Sequence, residues 1–144
     1  MKQQLLLALG LLFSAASHPQ DIAVKDVPAA VMTSFNKAFP KAVHVEWEMK
    51  GNLYNAEFDL GRRDHEVWLN SKGAIVKHKE EIRGRELPEA VSRTIKQNYK
   101  GYWIDDADRY EEGKQFFYKV ELKTLTAEKN LVLDRNGRIV NKVL

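Results

Sequence analysis

Val27-Pro28-Ala29-Ala30-Val31, running on to Phe39, is answered sixty residues later by Leu87-Pro88-Glu89-Ala90-Val91, running on to Tyr99. Pro28, Ala30 and Val31 return identically as Pro88, Ala90 and Val91, while Phe35 and Phe39 return as Ile95 and Tyr99. Downstream the offset grows to 64. Tyr54-x-x-Glu57-Phe58 becomes Tyr118-x-x-Glu121-Leu122, and Gly73-Ala74-Ile75-Val76 becomes Gly137-Arg138-Ile139-Val140. Self-similarity at a period of this size marks two copies of one supersecondary unit. The added four residues fall in hairpin connections, where insertions cost least.

Within each copy the hydrophobic period changes once. Val27, Val31, Phe35 and Ala38 or Phe39 form a helical stripe, as do Leu87, Val91, Ile95 and Tyr99. Pro28 and Pro88 suit a first helical turn, whose N–H groups have no intrahelical partner. Pro40 and Gly101 stop the helices. The period then falls to two. Val43, Val45, Trp47 and Met49 alternate with polar residues, followed by Tyr54 to Leu60, His65 to Leu69 and Ala74 to Lys79. The second copy offers Ile104 to Tyr110, Phe116 to Leu122, Lys129 to Leu133 and Ile139 to Leu144. Asn70-Ser71-Lys72-Gly73 and Asp134-Arg135-Asn136-Gly137 read as bulged hairpin turns with a left-handed glycine. The expected fold is α+β: two tandem helix-plus-four-strand units making one antiparallel sheet of about eight strands. Both helices are expected on one face and water or a partner on the other.

Lys2, the apolar run Leu5–Ala16 and the small residues to Ser17 have the layout of a secretory leader, too short to span a bilayer. Residues 1–17 are read as that leader, 18–26 as a lead-in, 27–82 as the first repeat and 83–144 as the second. The expected location is periplasmic or secreted. A lone sixty-residue unit buries only about 60% of the surface its unfolded chain exposes, and with no cysteine there is no disulfide to help it, so a core shared by the units is expected. Removing Lys2 from the 23 basic residues leaves 22 against 20 acidic, a net charge of +2 with the signs interspersed. That argues against a nucleic-acid partner.

The ordered motifs Val27-Pro28, Phe39-Pro40, Trp47-Glu48, Tyr54 to Phe58 and Asn70 to Ile75, met again in the second copy, resemble the bacterial PepSY-like, β-lactamase-inhibitor-like family. The second copy departs at Lys100, which replaces Pro40, and at Tyr110-Glu111, which stands for Trp47-Glu48. The resemblance implies a secreted or periplasmic protein shaped like the β-lactamase inhibitor protein, whose sheet grips an enzyme. The matching positions are scaffold positions, so no inhibitory residue carries over, and likeness of fold is an analogy for function.

Catalytic chemistry finds little support. Ser34, Ser71 and Ser92 have no His and Asp framing, and the recurring pair Glu57 and Glu121 is what duplication of any surface residue gives. No cofactor is expected. Three histidines of the first copy, His44, His65 and His78, suggest the alternative of a small-ligand or metal carrier in the envelope. If Asn70 pairs with Ala74, however, His65 falls opposite Lys79 and His78 opposite Glu66 on the other face, so the two cannot share an ion. A one-residue register change would pair them directly. Trp68 and Phe117 stand on the outward parity of their strands, where a large aromatic marks a contact surface unless a curl or a loop covers it. Trp103 reads as a plug between helix and sheet. The favoured reading is a non-enzymatic binding module whose sheet face, with Trp68, Phe117, Val132, Glu57 and Glu121, docks a protein or peptide. An outer strand leaves room for a dimer as well as a monomer.

Overall fold

The computed structural model describes residues 20–144. The expected leader and the start of the lead-in lie outside them. Eight strands form one antiparallel sheet in chain order: β1 (Gln20–Asp21), β2 (Val43–Lys50), β3 (Leu53–Leu60), β4 (Arg63–Leu69), β5 (Ile75–Glu81), β6 (Trp103–Glu112), β7 (Gln115–Lys123) and β8 (Glu128–Asp134). Helix α1 (Ala29–Ala38) links β1 to β2, and α2 (Glu89–Asn98) links β5 to β6. The strands thus divide as one before α1, four between the helices and three after α2. Of the expected final strand only one bridge forms, Leu133 with Ile139.

The helices lie where their stripes place them, each beginning one residue after the proline expected in its first turn. Pro28 and Pro88 are the N-caps, and the chain leaves the helix at Phe39 (φ −129°) and Tyr99 (φ −126°). Phe39 is the residue before Pro40, which disfavours helical geometry there. Val31 and Phe35 of α1 bury against Trp47, Ala56, Phe58, Val67 and Leu69. Phe35 meets Trp47 and Phe58 edge-on, each with ring centroids 5.1 Å apart. Val91 and Ile95 of α2 bury against Ala107, Tyr118, Val120, Leu122, Leu131 and Leu133.

One cross-strand row proves that both helices lie on the same side. Phe58, His65, Glu80, Arg109, Tyr118 and Leu133 are successive partners from β3 to β8. The row begins in the α1 core and ends in the α2 core. Its middle is polar, which corrects the expectation of a shared core: there are two apolar clusters, because β5 and the centre of β6 bring His78, Glu80, Arg109 and Glu111 to the helix side. Glu80 bridges Arg63, at 2.7 Å, and Arg109, and Arg63 also reaches Glu86 at 2.5 Å.

The two bulged turns dock on the helices. Asn70 Oδ1 accepts from the N–H groups of Lys72 and Ala74, and Asp134 Oδ1 from those of Asn136 and Arg138. Gly73 (φ +83°) and Gly137 (φ +78°) sit so close to α1 and α2 that a Cβ would meet the carbonyls of Ala30 and Ala90. Thr94 Oγ1 donates to Gly137 O at 2.7 Å.

The copies join through β5. Gln20 pairs with Met49 and Asp21 with Glu48; sixty residues on, Glu80 pairs with Arg109 and Glu81 with Asp108. The end of β5 therefore does for α2 and β6 what β1 does for α1 and β2. It also closes the ladder of β4.

Candidate functional site

The side without helices is the candidate site. A second cross-strand row crosses it: Glu57, Glu66, Lys79, Tyr110, Phe117 and Asp134. Asn55, Trp68 and Lys77 form part of the adjoining row. In the β2–β4 half the surface sinks into a cleft of about 300 Å³ lined by Glu46, Glu57, Asp59, Asp64 and Glu66, with His44 and Lys79.

Charge organises this surface. Lys50 Nζ lies 2.6 Å from Glu66, 3.4 Å from Glu57 and 3.5 Å from Glu48. Burial alone would lower the Lys50 ammonium, but Glu66, with Glu57 and Glu48 behind it, outweighs that and holds it above its ordinary value. Across the sheet, burial pushes the Asp108 carboxyl up despite Lys79 at 3.6 Å. Burial, reinforced by Asp108 and Glu66, also raises the Tyr110 hydroxyl. Lys123 holds Asp105 and Glu121, each at 2.6 Å.

All five expected contact residues face this side, yet they are not equally accessible. Glu57 is half-exposed, with 53% of its side-chain surface free. Phe117, Val132 and Glu121 are half-buried. Trp68 is only 8% exposed: Lys77 Nζ caps its ring at 4.1 Å and Lys50 Nζ stands 5.7 Å away. The indole is thus part of the wall and not a free anchor. Trp103 is no plug. It is 47% exposed, because the irregularity between Ile104 and Asp106 leaves Ile104 against the α2 core and turns Trp103 outward.

The histidines take positions that neither register expectation gave. Asn70 N donates to Ala74 O as expected, but the pairing shifts by one residue between Trp68 and Leu69. The bulge puts His65 opposite Glu80 and His78 opposite Val67, so both rings share the helix side. His65 Nδ1 is 3.0 Å from His78 Nε2. His44 lies away from them at the far end of β2, with φ +53°, donating from Nδ1 to Asp59 Oδ2 at 2.7 Å. The three do not converge. Among the described residues no group of three or more His, Cys, Asp or Glu is arranged to hold a metal ion.

Sequence reasoning missed Tyr110, Lys50, Lys77, Glu112 and Lys142. The parity of Tyr110 was hidden by the bulge before Asp106. The lysines needed the register of β5 and the path of the C-terminal residues, and neither leaves a mark in the sequence pattern.

A family model described as "Putative beta-lactamase-inhibitor-like, PepSY-like" matches the chain twice, over residues 15–77 and 52–141. Among solved structures the chain is similar to a DUF2874 family protein from Bacteroides uniformis, with 23% identity, TM-score 0.71, and 79% of this chain and 86% of that one covered. A BLIP-like protein from Bacteroides fragilis gives 23% identity and TM-score 0.67, with 79% and 84% covered. A protein from Bacteroides eggerthii described as a "putative periplasmic" protein gives 16% identity and TM-score 0.72, with 80% and 86% covered. At these identities the likeness is one of fold. No curated protein matches the chain. Among the described residues no helix is long and apolar enough to cross a membrane.

Proposed function

The chain belongs to the PepSY-like, β-lactamase-inhibitor-like family, and from that premise we propose that it is a non-catalytic binding module of the cell envelope, docking a protein or peptide partner on the helix-free side of its sheet. One observation carries the reading. Both helices pack on one side of a continuous eight-stranded sheet, and the other side keeps Glu57, Glu121, Phe117 and Val132 within reach of a partner. Packed helices protect one side of a sheet; large side chains left on the other are surface a partner can bury. The leader-like residues 1–17 and the "putative periplasmic" relative support placement outside the cytoplasm. The family's inhibitor-like description supports a protein partner and a module without chemistry of its own.

The test is position-specific photo-crosslinking in the native envelope. A photoreactive residue at Val132 should give a discrete adduct with one protein, and the purified partner should then bind the unmodified chain. A probe at Lys37 on α1 should give none. Adducts from Lys37 alone would overturn the reading.

A further inference from the structure

The two sides of the sheet differ sharply in charge. Following the strand register, fourteen of the 20 acidic residues stand on the helix-free side, against five lysines: Lys50, Lys77, Lys79, Lys119 and Lys123. In a chain that is +3 as a whole, the strand residues of this side are therefore negative by nine, fourteen carboxylates less five lysines. Several of its cations are seated. Lys77 caps Trp68, and Lys50 lies among Glu48, Glu57 and Glu66.

One cation there comes from outside the sheet. Beyond the Leu133–Ile139 bridge, Val140 N donates to Val132 O, and the next residues belong to no strand. Lys142 nevertheless reaches over β8. Its Nζ sits 4.7 Å above the Phe117 ring and 2.7 Å from Glu112. Its neighbour Val143 is 97% exposed, so that side chain does not pin the lysine there, while the ammonium has both an aromatic and a carboxylate partner. An aromatic face beside a carboxylate is a general receptor for an ammonium or guanidinium group. A further feature points the same way. Asn55 is fully buried on this side, next to Trp68, and its Oδ1 accepts no hydrogen bond among the described residues. A donor entering beside Trp68 would complete it.

We propose that the helix-free side receives a lysine- or arginine-bearing segment of the partner protein, and that Lys142 is a tethered stand-in for it, occupying the Phe117–Glu112 seat until displaced. This rests on the helix-free side being the docking side. The field of the carboxylates would attract such a segment and speed its approach. The Phe117 ring and Glu112 would then hold a cationic head, as they hold that of Lys142.

The probe is a synthetic twelve-residue peptide alternating lysine and threonine, (Lys-Thr)6, titrated into the full-length chain and followed by amide NMR shifts, with (Glu-Thr)6 as its counterpart. The lysine peptide should perturb the Glu57–Asp134 row and the Trp68 indole, with affinity falling as salt rises. Lys142→Ala removes the internal competitor and should tighten binding about three- to tenfold. Phe117→Ala and Glu112→Gln should weaken it by about the same factor. Melting curves of each variant check that the fold is intact. A Lys142→Ala variant that binds no more tightly, or no binding by the lysine peptide, would overturn the proposal. If the glutamate peptide alone bound this side, the cationic partner would fall and the docking side would stand. Perturbations confined to α1 and α2 with both peptides would remove both.

Discussion

His65 Nδ1 and His78 Nε2 lie 3.0 Å apart, with their rings stacked at 5.2 Å between centroids, where the two apolar cores meet. One ring must donate and the other accept, so the contact does not survive protonation of both. Burial, then His65 itself, pushes His78 down to about 4, and burial lowers His65 against the pull of Glu80. Arg63, Arg109 and Asp64 also bear on the pair. A histidine depressed in the folded state takes up its proton first in the unfolded chain, so stability falls with acidification. Stability should be full above about pH 6.5 and drop by about 1–3 kcal/mol as the pH falls through His78's value of about 4. Urea unfolding at pH 7.5, 5.5 and 4.5 measures it, and His78→Gln should flatten the profile between 6.5 and 4.5. An unchanged slope in that variant would assign the acid sensitivity elsewhere.

Gly137→Ala should cost about 2–4 kcal/mol, since the new Cβ meets both an unfavourable φ and the α2 backbone. Gly113 (φ +60°) has nothing within 4 Å of the same Cβ. Gly113→Ala should cost about 1 kcal/mol, the conformational part alone. Equal losses at the two sites would show that the turn does not press on the helix.

Trp68→Ala should destabilise by about 2–4 kcal/mol, as truncation of a buried aromatic does. Phe117→Ala and Val132→Ala, at half-buried positions, should stay within about 1 kcal/mol while reducing partner capture. A Trp68 variant that melted like wild type would mean that the lysine-capped ring is not part of the wall.

Glu80→Gln leaves Arg63 and Arg109 facing a neutral amide at a side chain only 12% exposed. Because both arginines are more than a third exposed and screened by water, loss of the carboxylate should cost about 1–2 kcal/mol. Differential scanning calorimetry should show the loss and a broader transition, because the seam it bridges separates the two cores. A variant as stable and as cooperative as wild type would remove Glu80 as the link.

Much of the fold was legible because duplication printed each structural device twice. The Val31–Phe35 and Val91–Ile95 stripes, the proline caps and the Asn70–Gly73 and Asp134–Gly137 turns all behave as their residues require. The side of the sheet taken by Trp68, Phe117 and Glu57 also followed from parity. What parity could not show was a bulge. One extra residue in β5 carried His78 to the helix side, and another before Asp106 carried Trp103 outward. A bulge has no fixed residue signature, yet it inverts every side chain beyond it. The acidic character of the helix-free side was hidden for another reason: in the sequence its carboxylates alternate with residues of the opposite face, and the sum over the chain is positive.

Strand β5 closes the ladder of β4 on one edge and opens that of β6 on the other. The joint between the copies is therefore no hinge, since swivelling one half against the other would tear backbone hydrogen bonds along that strand. If the helix-free side is the docking side proposed above, it meets a partner already shaped, and little of the binding free energy goes into organising it.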